Sequence, residues 1–206
     1  MDDLFNFTEI RIRQPGKILP GRASYEIFGG RKELLAVATE VEARSVLHKI
    51  TKLLPGTRAL TVTTPAGESL FDLLLDSGEF VATLTGPDEE VAGVIRIGGS
   101  RRHYTLVNGA EQVLAEAVGD LAVRRFVVSG PSGAPTVVAG GGAGAGGRSG
   151  PVIGEIRKTF AGPMKEALTS ADHYTVRFTA PDVPALTRTL TVFVPVVLDL
   201  ARYGPS

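Results

Sequence analysis

The sequence predicts a mainly β (α+β) fold, a closed antiparallel barrel of about twelve strands around a buried hydrophobic C-terminal helix. Three observations predict it. From Ser24 onward, short β-rich runs alternate with Gly, Pro and Asn-Gly turn signals, the pattern of hairpins in a meander. Such a number of strands exceeds what a flat open sheet sustains, so closure into a barrel or a sandwich is expected. The last segment, Ala185 to Tyr203, is the most apolar of the chain and reads as a helix that other elements must surround.

Taken in order, residues 1–21 are assigned to an N-terminal extension and residues 22–206 to a single domain. MDDLFNFTEIRIRQ opens with acids and lacks a basic and then apolar leader pattern, so no secretory signal is read there. The Asn6-Phe7-Thr8 sequon is then a chance match. SYEIF turns at Gly29-Gly30 into LLAVATEV, ALTVTT at Pro65-Ala66-Gly67 into SLFDLLLD, and EFVATLT at Gly86-Pro87-Asp88 into EVAGVIRI. HYTLV turns at Asn108-Gly109, where both residues tolerate positive φ, into QVLAEAV. LAVRRFVVS and PTVVA are joined by Gly130-Pro131-Ser132-Gly133, and VIGEIRKTF and HYTVRFT follow. One helix is expected within the meander, because Val46, Leu47, Ile50, Leu53 and Leu54 fall at helical spacing before Pro55-Gly56. Residues 139–150 form a Gly/Ala-rich loop.

The terminal segment has three readings. A membrane span fails on length, because its uncharged run ends at Asp199 well short of the ~20 apolar residues a bilayer needs. A strand is opposed by Pro195, which removes a ladder donor. A helix over about 183–203 has a cap in Asp182, a tolerated Pro184 and a stop in Gly204-Pro205. On a helical wheel Thr187, Arg188, Thr191, Pro195, Asp199 and Arg202 share one polar stripe. Leu190, Phe193, Val194, Val197 and Leu200 lie on the wide apolar remainder and are assigned to the core. A barrel wrapped around the helix supplies the surroundings that such a face demands.

Tyr25-Glu26-Ile27, the run GPVIGEIRKTFAG (150–162), ADHYTVRF (171–178) and the helix ending LDLARY (198–203) resemble the tubby C-terminal-like superfamily. Within it the chain is most similar to bacterial phospholipid-scramblase-related and LURP-one-related proteins, over roughly Arg22 to Tyr203. The resemblance implies a twelve-stranded barrel around a central helix, and relatives concerned with phosphoinositide binding, lipid movement between leaflets or plant defence. The chain departs from animal scramblases in lacking a Cys-rich acylation segment and a Pro-rich extension. AGPMKEALTSADHY offers only Glu166 and Asp172 where a calcium loop would need more acids, so calcium-dependent scrambling is not expected.

The chain has 206 residues, 43% of them hydrophobic, enough for one domain with a substantial core. Lys+Arg and Asp+Glu both number 22, so no global charge bias points to nucleic acid, and an anionic partner must be met by a local patch. The absence of cysteine excludes disulfides, thiolate nucleophiles and Cys-ligated metals. The run from Gly142 to Gly147 matches GxGxxG but continues as RSGPVIGEIRK without opening a helix, so it reads as a loop and not a dinucleotide site. His48, His103 and His173 show no metal-ligand spacing, and no activated-serine or phosphate-loop motif occurs. No cofactor, metal or catalytic residue is assigned. Asp88-Glu89-Glu90 reads as a solvated hairpin tip.

The remaining hint is basic. Arg96, Arg101, Arg102 and Arg124 are the candidate anionic head-group residues, because guanidinium forks pair phosphate bidentately. Arg157-Lys158 and Lys165 come later, and scattered solvated charge is the alternative. The resulting reading is a cytoplasmic, non-enzymatic barrel with peripheral binding of anionic phospholipid and no transmembrane span. A protein-interaction or scaffold module is the second reading, and an enzyme with a pocket at the barrel mouth the third.

Overall fold

A computed structural model of the chain describes residues 4–15, 22–43, 56–76, 78–131, 150–159 and 173–202. The strands are β1 (Glu9–Arg13), β2 (Ser24–Phe28), β3 (Leu34–Val41), β4 (Arg58–Thr63), β5 (Ser69–Asp76) and β6 (Val81–Thr85). They continue as β7 (Val91–Ile97), β8 (His103–Asn108), β9 (Val113–Gly119), β10 (Arg125–Ser129), β11 (Val152–Thr159) and β12 (His173–Phe178). All neighbours pair antiparallel, each strand with the next, and β12 pairs with β1 to close the barrel. Helix α1 (Ala185–Arg202) lies inside.

Period-two alternation sets the two faces of the wall. Ile10 and Ile12, Tyr25 and Ile27, Phe71, Leu73 and Leu75, and Tyr174, Val176 and Phe178 point inward and are buried. The helix packs nearest β7 and β8. Gly93 makes that approach available, since a Cβ there would meet Leu190 Cδ1 at 3.0 Å and the Val107 carbonyl at 3.0 Å. Ala115 and Ala117 on β9 keep the same side of the lumen shallow. On the other side Phe71 and Phe5 meet the Phe193 ring edge-on, at centroid distances of 5.2 and 6.3 Å.

Leu190, Phe193, Val194, Val197 and Leu200 are buried. The polar stripe of α1 is buried too, apart from Arg202, and hydrogen bonds inside the protein meet several of its polar groups. Thr191 donates its hydroxyl to the Thr187 carbonyl at 2.7 Å, and Tyr174 donates to Asp199 Oδ1 at 2.6 Å. The Arg188 guanidinium donates to the carbonyls of Val183, Phe7 and Pro181 at 2.9–3.0 Å and lies 4.5 Å over the Phe178 ring. Burial pulls the Arg188 pKa below its ordinary value, and these acceptors hold its charge in place. At the other end, Arg58 donates from Nη1 to the Leu200 carbonyl at 2.9 Å, meeting the orphan carbonyls and negative pole of the helix C-terminus. Glu40 clamps Arg58 through two bonds of 2.6 and 2.8 Å and also accepts from the Ala23 amide at 2.7 Å.

Several sequence expectations are corrected. Residues 9–13 are no extension: EIRIR carries the inward–outward alternation of a strand, and β1 is the stave that joins β12 to β2. Asn108-Gly109 is not a two-residue turn with positive φ at both positions. The turn runs over 108–112, the positive φ (64°) falls at Glu111, and the Asn108 side chain accepts from the amides of Ala110 and Gln112. The same five-residue geometry recurs with positive φ at Lys32, Gly67 and Glu89, each turn lying beside a register shift in its preceding strand. Leu121 to Arg124 form a turn rather than the start of a strand, because Asp120 Oδ1 accepts from the Arg124 amide. The helix spans 185–202, slightly shorter than expected. The helix expected at 46–54, the strand PTVVA and the GxGxxG run lie outside the described residues.

Two stability outcomes follow from this packing. Leu190→Ala should lower the unfolding free energy by about 2–5 kcal/mol in chemical denaturation, and Leu190→Asp should leave no soluble folded protein. Arg58→Met, which removes the cap and takes from Glu40 its cationic partner, should destabilise by on the order of 2 kcal/mol; an unchanged denaturation midpoint would show that the clamp contributes nothing.

Candidate functional site

The lumen is filled by α1 and inward side chains, so the accessible chemistry lies on the outward positions of the wall and on the two rims. The register of β10, β11, β12 and β1 aligns two outward rows. One runs Arg125, Arg157, Thr175, Arg11, and the next runs Val127, Glu155, Arg177, Glu9. Directly opposed residues in adjacent strands stand within side-chain reach. Four arginines and two glutamates therefore meet on one face of the barrel.

They form two triads in which one carboxylate holds two guanidinium groups. Glu9 Oε1 accepts from Arg11 at 2.8 and 3.0 Å, and Glu9 Oε2 accepts from Arg177 at 2.9 Å. Glu155 accepts from Arg157 at 2.5 and 3.2 Å and pairs with Arg125. Between the triads lies a surface groove of about 460 Å³ lined by Glu9, Arg11, Glu155, Arg157, Thr159, Thr175 and Arg177. It lies on the outer wall, where the sequence had put any pocket at the barrel mouth.

The electrostatics follow from the two-to-one ratio. The bonds from Arg177 and then Arg11 hold the Glu9 carboxyl below its ordinary pKa. For Glu155 burial pushes upward, but the bonds from Arg157 and Arg125 outweigh it and the net shift is downward. Both acids are thus ionised at neutral pH, and each still leaves one guanidinium charge uncancelled. Each guanidinium has five N–H donors, more than its glutamate bonds use, and the threonine hydroxyls add donors at the groove floor. An anion with several oxygens, such as a phosphate monoester or diester, matches that arrangement.

The residues proposed from sequence are placed differently. Arg101 and Arg102 occupy the β7–β8 turn and Arg124 the β9–β10 turn, adjacent on one rim and linked by the Gly119 amide bonding to the Arg102 carbonyl at 2.6 Å. Arg101 lies 6.0 Å over the Phe80 ring on the next turn of that rim. Arg96 is separate: it points outward from β7 and is paired with Glu111 in a turn of the opposite rim. Sequence reasoning passed over Arg11 and Arg177. The signal was present in EIRIR and HYTVRF, whose charges fall at the outward parity of their strands. Arg157 stands in the dipeptide with Lys158 and Arg125 within the run LAVRRFVVS, but the sequence does not show their partners.

No family model and no curated protein matches the chain. Among solved structures, the X-ray structure of a protein from Arabidopsis thaliana matches with a TM-score of 0.50 at 10% sequence identity. The match covers 93% of this chain and 90% of that one, so the likeness is one of fold. Among the described residues, no helix is long and apolar enough to cross a membrane.

The depressed carboxylates make a pH signature. A folded-state pKa below the unfolded value contributes stability that is complete above the unfolded value, near 4.5, and is lost as pH falls through the folded pKa. Titration by NMR should place Glu9 and Glu155 below 4.5, and Arg177→Gln should return Glu9 toward it while leaving Glu155 in place.

Proposed function

We propose that this protein is a non-catalytic barrel of the scramblase-related, LURP-one-like type that binds anionic phospholipid head groups peripherally from the cytoplasmic side, and that the β10–β11–β12–β1 groove is its head-group site. The observation that supports this is the pair of Arg₂Glu triads facing one another across the groove. Two carboxylates pre-set four guanidinium groups, so binding loses less side-chain freedom than it would with four unrestrained arginines. The excess positive charge and the threonine donors suit a phosphate better than a lone carboxylate, because more acceptor oxygens meet more donors. The Arabidopsis likeness and the tubby-like resemblance support the architecture of this reading. The groove supports its chemistry.

Co-sedimentation with vesicles tests it. The protein should pellet with phosphatidylcholine vesicles containing phosphatidylserine and not with phosphatidylcholine alone. Arg157→Gln combined with Arg177→Gln should weaken that binding on the order of tenfold or more, since each basic side chain near an anionic surface contributes separately. Arg31→Gln with Lys32→Gln on the far rim should leave it unchanged. Equal pelleting with neutral vesicles, or indifference to the groove double variant, would overturn the proposal.

A further inference from the structure

The barrel is polar along its axis. Helix α1 starts at the rim made by the turns 29–33, 64–68, 86–90 and 108–112, as Leu190 against Gly93 near the start of β7 shows. It ends at the rim made by the turns 78–80, 98–102 and 120–124, where Tyr174 at the start of β12 reaches Asp199 and Arg58 reaches Leu200. Among the described residues, the helix-start rim carries Glu33, Glu68, Asp88, Glu89, Glu90 and Glu111 against Arg31 and Lys32. Among the described residues, the helix-end rim carries Arg22, Arg101, Arg102 and Arg124 beside Glu42, Asp76, Glu79 and Asp120, with Arg202 at the end of α1. Asp76 and Asp120 are occupied as turn caps, accepting from the Gly78, Glu79 and Arg124 amides. Two of the groove arginines lie toward this end, Arg125 opening β10 and Arg157 opposite it in the last half of β11, while Arg11 at the middle of β1 and Arg177 near the end of β12 carry the groove up the wall away from it.

The same end exposes apolar side chains. Leu121, at the tip of the β9–β10 turn, is 87% exposed. Below it on the outer wall Val118 and Val127 are register partners, 51% and 37% exposed, and Val127 is in turn opposed to Glu155 of the groove. Phe80 is exposed on the β5–β6 turn, beyond the β7–β8 turn on the same rim. An apolar strip thus runs from the rim tip to the edge of the basic groove.

We infer that the barrel docks on an anionic bilayer with its helix-end rim toward the lipid, Leu121 entering the interface while the groove takes a head group. This deepens the head-group reading above and rests on it. Charge complementarity commits the surface to a bilayer: the acidic rim is repelled by anionic lipid and the basic end attracted, which orients the barrel before contact. A free phosphate would engage the groove alone and leave Leu121 in water, whereas an interface takes up both the apolar tip and the arginines that flank it.

The chain has no tryptophan, so a single substitution makes a clean reporter. In the full-length protein, the Leu121→Trp fluorescence should shift to the blue on addition of phosphatidylserine-containing vesicles, and that of Val91→Trp, on the acidic rim, should not. Leu121→Asp should weaken pelleting with those vesicles on the order of tenfold. Pelleting with no shift in Leu121→Trp overturns the docking orientation and leaves the head-group site standing. A shift in Val91→Trp overturns it equally. Absence of pelleting by the unaltered protein overturns both readings.

Discussion

The structure depends on one constraint: α1 is apolar around most of its circumference, and its polar residues up to Asp199 are buried as well, so it is stable only with wall on every side. A sandwich would cover two faces of such a helix; a closed barrel covers all of them. Closure then demands that the first strand meet the last, which β1 and β12 do. The ends of the helix bring the remaining polar requirement. Arg188 at one end and the Glu40–Arg58 clamp at the other supply charged donors to carbonyls that the enclosure shields from water.

Filling the lumen with a helix moves the chemistry outward. In an empty barrel, inward positions would line a ligand cavity; here Ile, Leu, Phe and Tyr occupy them. The outward positions of β10–β12 and β1 are what remains for recognition, and their register converts single arginines on four strands into two shared-carboxylate triads. The glutamates do not neutralise the face. They fix guanidinium planes at a spacing that separate solvated side chains would not keep.

Alternation at period two was legible throughout because it depends only on neighbouring residues: LLAVATEV is the strand Leu34–Val41 with the bounds read from its sequence. Turns were legible as locations but not as geometries. Asn108-Gly109 has the composition of a tight turn, yet the strand continues through Asn108 and the chain reverses over five residues, with the strained φ displaced to Glu111. Local composition could not show this, because the bulge that widens the turn is set by pairing with the neighbouring strand. β1 was passed over for a related reason. Five residues of alternation followed by Pro15 and Gly16 show no tight-turn signal toward β2, and the partner on their other side, β12, comes from the far end of the chain.

The candidate groove shows where such reading stops. The sequence by itself determined a buried terminal helix, an alternating wall and the need for closure, since each follows from the periodicity of side chains along a single segment. The alternation of EIRIR and HYTVRF carries Arg11 and Arg177 at outward parity as well, although nothing local to either run singles them out. Only the tertiary structure decided that Arg11 stands two strands from Arg157, and that Arg96, grouped with Arg101 and Arg102 by proximity in the chain, belongs to another part of the wall. The physical reason is that barrel closure and strand register are long-range properties. They join residues separated by nearly the whole chain, and the composition of either end alone carries no record of its partner.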